Sequence, residues 1–249
     1  EAPPAEPHQR AHEGGERHVE RGDRLHPPVA PPEDHDRRRG QQGHGQVLGC
    51  VPGGEHLEEP GEGRRQLPAS VRRADPSHAA ASIEKDIAAI IWAAPLPTGA
   101  AADAVQQFLT NGGQVLFLPP GSASDTAFND IKWAPPSDAP AGKFFILKDW
   151  NHDDGPLRDG IDGTPISAGR LKAIRRQMPV GDATPLARWE DGEPVITRRI
   201  VDHGTAWFLG SIPDYTWSNL GDADVLLPAV QRIITAGSDR FDASYLATV

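Results

Sequence analysis

The chain has 249 residues, with 35 acidic against 25 basic side chains and a formal net charge of −10. That balance excludes a general nucleic-acid binder, because neutralising phosphates requires a basic surface. The single cysteine, Cys50, excludes a disulfide framework and a cysteine-rich zinc site within one chain.

Composition divides the chain near Ile83. Residues 1–82 contain no Ile, Phe, Tyr, Trp, Met, Lys, Asn or Thr, and all six Trp, seven Phe and two Tyr follow them. A segment without such residues cannot bury enough apolar surface to offset about 1–2 kcal/mol of backbone entropy per residue. Residues 1–82 are therefore expected to be a disordered low-complexity segment preceding the domain. Eight of the ten histidines lie there, at His8, His12, His18, His26, His35, His44, His56 and His78. Their irregular spacing and lack of a cysteine or carboxylate pattern assign them no metal. Pro, Gly, Ala and Arg have GC-rich codons and the missing residues AT-rich ones. The segment thus has the composition of a GC-rich gene translated out of frame, with the frame restored near Ile83.

From there the pattern is that of a folded domain. Asp86–Ala94, with the run Ile87-Ala88-Ala89-Ile90-Ile91-Trp92, reads as a strand buried on both faces. Gly99–Asn111 has helical spacing at Ala101, Val105, Phe108 and Leu109 and stops at Gly112-Gly113. A second apolar run, Gln114–Leu118, completes a strand–helix–strand unit. Asp125–Ile131 reads as a short helix, Ala134–Gly142 as a Pro-rich loop, Lys143–Trp150 as a strand, and Leu171–Met178 alternates loosely. Thr184–Trp189, Val195–Val201 and Thr205–Ile212 are strands joined by turns at Asp191-Gly192 and His203-Gly204. Asp224–Ala236 is an amphipathic helix with Pro228 in its first turn and Gly237 just past its end. The expectation is an α/β domain at 83–240, a flavodoxin-like mixed sheet with helices, followed by a tail at 241–249.

The run Ile90-Ile91-Trp92-Ala93-Ala94-Pro95-Leu96-Pro97, the helix ending in Gly112-Gly113, and Val115-Leu116-Phe117-Leu118-Pro119-Pro120 resemble the class I glutamine amidotransferase-like domain of bacterial BatA-type membrane proteins, which carry an aerotolerance-regulator N-terminal domain. Thr184-Pro185-Leu186-Ala187, Gly204–Pro213 and Trp217-Ser218-Asn219-Leu220 extend the likeness over about residues 83–240. The resemblance implies a part of a membrane-anchored protein with protein partners in a membrane-associated complex. The chain itself has no run near the roughly 18 apolar residues of a membrane span and no charged-then-apolar leader, so it reads as soluble. Its first residue, Glu1 in place of Met, points to processing or a fragment.

An amidotransferase of this class needs a cysteine on a tight turn after a strand, activated by histidine. The turn after Gln114–Leu118 is Pro119-Pro120-Gly121-Ser122, and no cysteine lies in the domain. Ser122 and Ser124 are substitute nucleophiles by position, but neither sits in a Gly-x-Ser-x-Gly elbow. Asp149-Trp150-Asn151-His152-Asp153-Asp154-Gly155 gathers three carboxylates and an imidazole without matching a calcium loop. His203 reads as a turn residue, and Trp150, Trp207 and Trp217 as core. No catalytic, cofactor-binding or metal-binding residue and no cofactor is assigned from sequence. The expectation is a non-catalytic amidotransferase-like module acting in interaction or sensing through the loops Pro95–Gly99 and Pro119–Ser122. The alternative is a hydrolase or amidotransferase-like enzyme with an atypical site.

Overall fold

In the computed structural model, which describes residues 46–52, 69–160 and 162–246, the apolar runs of the sequence become the inner strands of one mixed sheet. The elements in chain order begin with β1 (Gln46–Pro52), β2 (Ala69–Ala74), α1 (Ala79–Ser82), β3 (Ala89–Ala93), α2 (Gly99–Thr110) and β4 (Gln114–Phe117). Short strands follow: β5 (Ala127–Phe128), β6 (Ile131–Trp133), β7 (Ser137–Asp138), β8 (Phe145–Trp150), β9 (Lys172–Ala173), β10 (Arg175–Arg176) and β11 (Pro179–Val180). The chain closes with β12 (Thr184–Trp189), β13 (Pro194–Val201), β14 (Gly204–Leu209) and α3 (Leu226–Leu246).

The nine-stranded sheet has the order β2-β1-β3-β4-β14-β13-β12-β8-β9. Strands β3, β4 and β14 are parallel to one another, and the remaining pairs are antiparallel. The domain is thus mixed α/β, and the flavodoxin-like expectation is met only as far as a mixed sheet with parallel strands at its centre. Alternate residues of those strands serve opposite faces. Ile90, Val115, Phe117 and Phe208 pack with Val105, Phe108 and Leu109 of α2. Leu116, Trp207 and Leu209 pack on the other side with Ala229 and Ile233 of α3. All four β4 residues are buried, as a strand covered on both faces must be.

Helix α2 ends as the sequence predicts. Gly112 adopts φ +87, and the Gly113 N–H donates to the Phe108 carbonyl at 2.9 Å, closing the last turn. A side chain at Gly113 would begin 2.3 Å from the Phe108 ring, so only glycine lets that ring lie down on the chain.

Four expectations need correction. First, ordered structure begins before Ile83: β1 pairs with both β2 and β3. Strand β2 forms the edge of the sheet and β1 lies between it and β3; such pairing is made by backbone hydrogen bonds, so a segment without aromatics can supply it. In β1, Gly49 is buried, and a Cβ there would sit 3.2 Å from Ile87 Cδ1. The rest of the expected disordered segment lies outside the described residues.

Second, Asp125–Ile131 is not a helix. Residues β5 and β6 form a hairpin about Asn129 and Asp130, whose φ values of 50° and 64° are those of a tight two-residue turn. The hairpin carries Phe128, Ile131 and Trp133 onto the α2 face, where Phe117 stacks on Phe208 at 4.8 Å and Trp133 meets Phe208 edge-on at 5.9 Å.

Third, α3 does not stop at Gly237 but runs to Leu246, through part of the expected tail. A Cβ on Gly237 would lie 1.9 Å from the Ala88 carbonyl oxygen. Glycine here allows a close helix–strand approach and does not cap. Fourth, the loosely alternating Leu171–Met178 is broken into β9 and β10, and its buried Gln177 ties three loop positions together, as described below.

Candidate functional site

Open α/β sheets bind ligands beyond the carboxyl ends of their parallel strands. Here the loops at that end are tied together by a buried side chain. Gln177 is fully buried, and its carboxamide accepts from the Gly121 N–H at 3.0 Å and donates to the carbonyls of Ser122 at 2.8 Å and Ala134 at 2.9 Å. In the turn after β4, where a nucleophile would sit, Gly121 has φ +80, and a Cβ there would lie 3.5 Å from the edge of the Trp217 ring. The Gly121 N–H, a natural oxyanion donor, is already satisfied by Gln177. Ser124 Oγ accepts from the Thr126 N–H, a local turn bond. After β3, the loop is held by Trp92 Nε1 donating to the Pro95 carbonyl at 2.8 Å. The loops Pro95–Gly99 and Pro119–Ser122 are thus braced from within, and Ser122 and Ser124 stand away from both domain histidines.

Those histidines, His152 and His203, lie at the opposite end of the sheet. Strand β8 runs antiparallel to β12, β12 to β13, and β13 to β14, so the exits of β8 and β13 meet the start of β14. The exit loop of β8 builds itself from side chain to backbone. Asn151 Oδ1 accepts from the N–H groups of Asp153 and Asp154, at 2.9 and 2.8 Å. Gly155 turns the chain with φ +83, tucked against Leu186. The turn presents Asp154 to Arg198 of β13, with Nη1 to Oδ2 at 2.6 Å.

Farther along the same loop, His152 Nδ1 lies 3.2 and 3.1 Å from the two carboxylate oxygens of Asp159. The Asp159 N–H donates to the His152 carbonyl at 2.8 Å, and the imidazole packs against Trp150 with centroids 4.9 Å apart. From α3, Arg232 Nη1 donates to the carbonyls of Pro156, at 2.9 Å, and Arg158, which anchors the loop. Burial holds the Arg232 guanidinium below its usual pKa; Arg158 adds to the effect and Asp159 opposes it.

Between this loop, the β13–β14 turn and α3 lies a cleft of about 230 Å³ lined by Asp154, Arg158, Arg198, His203, Trp207 and Arg232, among others. Buried Gln114 also lines it and accepts from Trp207 Nε1 at 2.9 Å. A larger cleft of about 690 Å³ is lined by residues including Ile83, Phe108, Asn111, Arg240 and Phe241, where the Arg240 guanidinium lies over the Phe108 and Phe241 rings.

The sequence-level candidates are distributed as follows. His152 acquires a partner, Asp159, that sequence reading missed. Among the described residues no group of three or more His, Cys, Asp or Glu is placed to hold a metal ion, and Asp154 is engaged by Arg198. His203 is a turn residue that also lines the cleft, as does buried Trp207; Trp217 is core, and Trp150 backs His152. Near the amino-terminal side of the domain, the Ser77 hydroxyl bonds both Asp75 and His78. That trio is a turn cap: Asp75 also takes the Ser77 N–H, and the serine lies between the other two instead of at the end of a relay.

No family model and no curated protein matches the chain. Among solved structures, it is similar to the β-galactosidase of Bacillus circulans sp. alkalophilus, with 18% identity over 57% of this chain and 21% of that one and a TM-score of 0.38. The β-galactosidase of the Antarctic haloarchaeon Halorubrum lacusprofundi gives 17% identity over 67% and 23%, with a TM-score of 0.41. A cytoplasmic protein of Salmonella typhimurium gives 9% identity over 76% and 94%, with a TM-score of 0.42. The chain spans about a fifth of the length of the β-galactosidases. The expected likeness to the amidotransferase-like domain of BatA-type membrane proteins, and with it the non-catalytic module of a membrane-associated protein, is corrected: no family model or curated protein matches, and none of these solved structures carries it. Among the described residues no helix is long and apolar enough to cross a membrane.

Proposed function

We propose that the chain has hydrolase-type chemistry, with His152 as general base, Asp159 as the group that orients it, and water as the nucleophile. The observation that supports this reading is the His152–Asp159 contact, at 3.1 and 3.2 Å to the two carboxylate oxygens and backed by a backbone hydrogen bond between the same residues. A carboxylate only accepts, so it keeps the ring proton on Nδ1 and leaves Nε2 as the base.

In the proposed step Nε2 takes a proton from water as the water oxygen bonds to the electrophilic centre of an ester. The bond to the leaving oxygen then breaks, and the imidazolium returns the proton to that oxygen. Ester and water become acid and alcohol, with no net change at the protein. Arginines in the adjacent cleft supply positive charge for the oxygen that becomes negative.

The test is turnover of p-nitrophenyl acetate and p-nitrophenyl phosphate by the full chain and by His152→Gln and Asp159→Asn. General-base catalysis contributes roughly 10²–10⁴-fold, so His152→Gln should lose at least about 100-fold in kcat. Absence of turnover, or equal turnover in His152→Gln, overturns the reading.

A further inference from the structure

We propose that the cleft beside this pair binds a small oxyanion, a carboxylate or phosphate group, through Arg158, Arg198 and Arg232. As a statement about substrate it rests on the hydrolase reading; as a statement about binding it stands apart from it.

Three guanidinium groups from three separate parts of the chain, the β8 exit loop, β13 and α3, line one cleft together with a single carboxylate, Asp154. That leaves an excess of two positive charges in a chain whose formal net charge is −10. Like charges gathered in a partly buried place repel one another, and the lowered pKa of Arg232 has burial and Arg158 among its causes. An anion relieves that repulsion.

The three arginines are held to different degrees. Arg232 is fixed by the Pro156 and Arg158 carbonyls through Nη1 alone. Arg198 is fixed by Asp154, also through Nη1. Arg158 is exposed, and among the described residues its guanidinium makes no hydrogen bond or ion pair. Two tethered guanidinium groups and one exposed, unbonded one suit a group with several acceptor oxygens, since guanidinium pairs with carboxylate and phosphate in bidentate fashion.

Volume narrows the ligand. At about 230 Å³ the cleft is smaller than the roughly 300–1,000 Å³ of drug-sized sites, so it takes a small anion or the charged end of a longer molecule. His203 and Trp207 complete the wall, the His203 imidazole able to donate a hydrogen bond.

The test is isothermal titration of the full chain at low ionic strength with inorganic phosphate and, separately, with succinate. Saturable binding of either with a Kd of about 1 mM or tighter, weakening as salt is added, is the expected result. The two arms show which oxyanion is preferred. Arg158→Gln, a change at an exposed side chain, should weaken binding by about fivefold or more while circular dichroism and melting stay unchanged; Arg198→Met should weaken it further. Lack of saturable binding to both anions, or affinity unaltered by Arg158→Gln and Arg198→Met, overturns the proposal. His152→Gln separates the two readings, because it should abolish turnover and leave phosphate affinity unchanged. Binding without turnover removes the hydrolase reading alone, and turnover of a neutral ester without anion binding removes this one alone.

Discussion

Replacing Gln177 with Leu tests what ties together the loops at the carboxyl end of the parallel strands. Leucine is close in volume to glutamine, so the buried site stays filled and the cavity contribution is small. What is lost is three hydrogen bonds, at 3.0, 2.8 and 2.9 Å, to Gly121, Ser122 and Ala134. At a net value of about 1 kcal/mol each the sum is about 3 kcal/mol. Ser122 lies in an exposed loop and its carbonyl can be rehydrated, which lowers the expected loss to about 2–3 kcal/mol. In a domain of this size that corresponds to roughly 4–12 °C in melting temperature. Gln177→Glu makes a sharper comparison: a carboxylate still accepts from the Gly121 N–H but cannot donate to either carbonyl, and it buries a charge. Urea unfolding at neutral pH should therefore rank wild type above Leu, and Leu above Glu. A Leu variant within about 0.5 kcal/mol of wild type, or a Glu variant more stable than Leu, would refute the assignment of these three bonds.

Three other changes probe the fold. Ile90→Ala removes a side chain 1% exposed on central β3 and should cost about 2–5 kcal/mol in denaturant unfolding; a loss below about 0.5 kcal/mol would place it outside the core. Gly237→Ala should destabilise far beyond any gain in helix propensity, because its Cβ meets the Ala88 carbonyl oxygen, and an unchanged melting temperature would show that α3 does not approach β3 as described. The Arg176 guanidinium, hydrogen-bonded to Asp191 at 2.9 and 2.6 Å, holds that carboxyl below its usual pKa against the opposing effect of burial. Its folded pKa is lower than its unfolded one, so the stabilisation is present above about pH 4 and is lost as pH falls through the folded value. The stability gap between wild type and Asp191→Asn should be open at pH 7 and shrink on acidification below about pH 4; a gap that widens there would contradict the pairing.

Legibility followed the range of the physics. Strands β3 and β4 and helix α2 are written in continuous apolar runs and a Gly-Gly stop, all local signals. The β12–β14 hairpins are marked by Asp191-Gly192 and His203-Gly204, and the structure has them. The β5–β6 hairpin has a local signal too, Asn129-Asp130, but its strands of two and three residues are too short to show a two-residue period, so the segment does not read as a hairpin. Gly237 has two meanings in sequence, cap or close approach, and only the position of Ala88 decides between them. Strands β1 and β2 have no sequence signature because their pairing with each other and with β3 is made by backbone bonds that no side-chain pattern records. Gln177 bonds two loops distant in sequence, so its role has no local trace. The same holds for the cleft: His152 stands in a polar run legible in sequence, Asp159 reaches it only through the fold of the loop, and Arg158, Arg198 and Arg232 meet only through the sheet order.

The proposed chemistry is tested most directly by a double-mutant cycle on kcat/KM for ester hydrolysis with His152→Gln, Asp159→Asn and the double variant. If Asp159 acts only by orienting His152, its loss has no further effect once the imidazole is gone, and the double variant should match His152→Gln within about twofold. Effects that multiply, or a wild-type chain that hydrolyses none of the esters, would contradict the account.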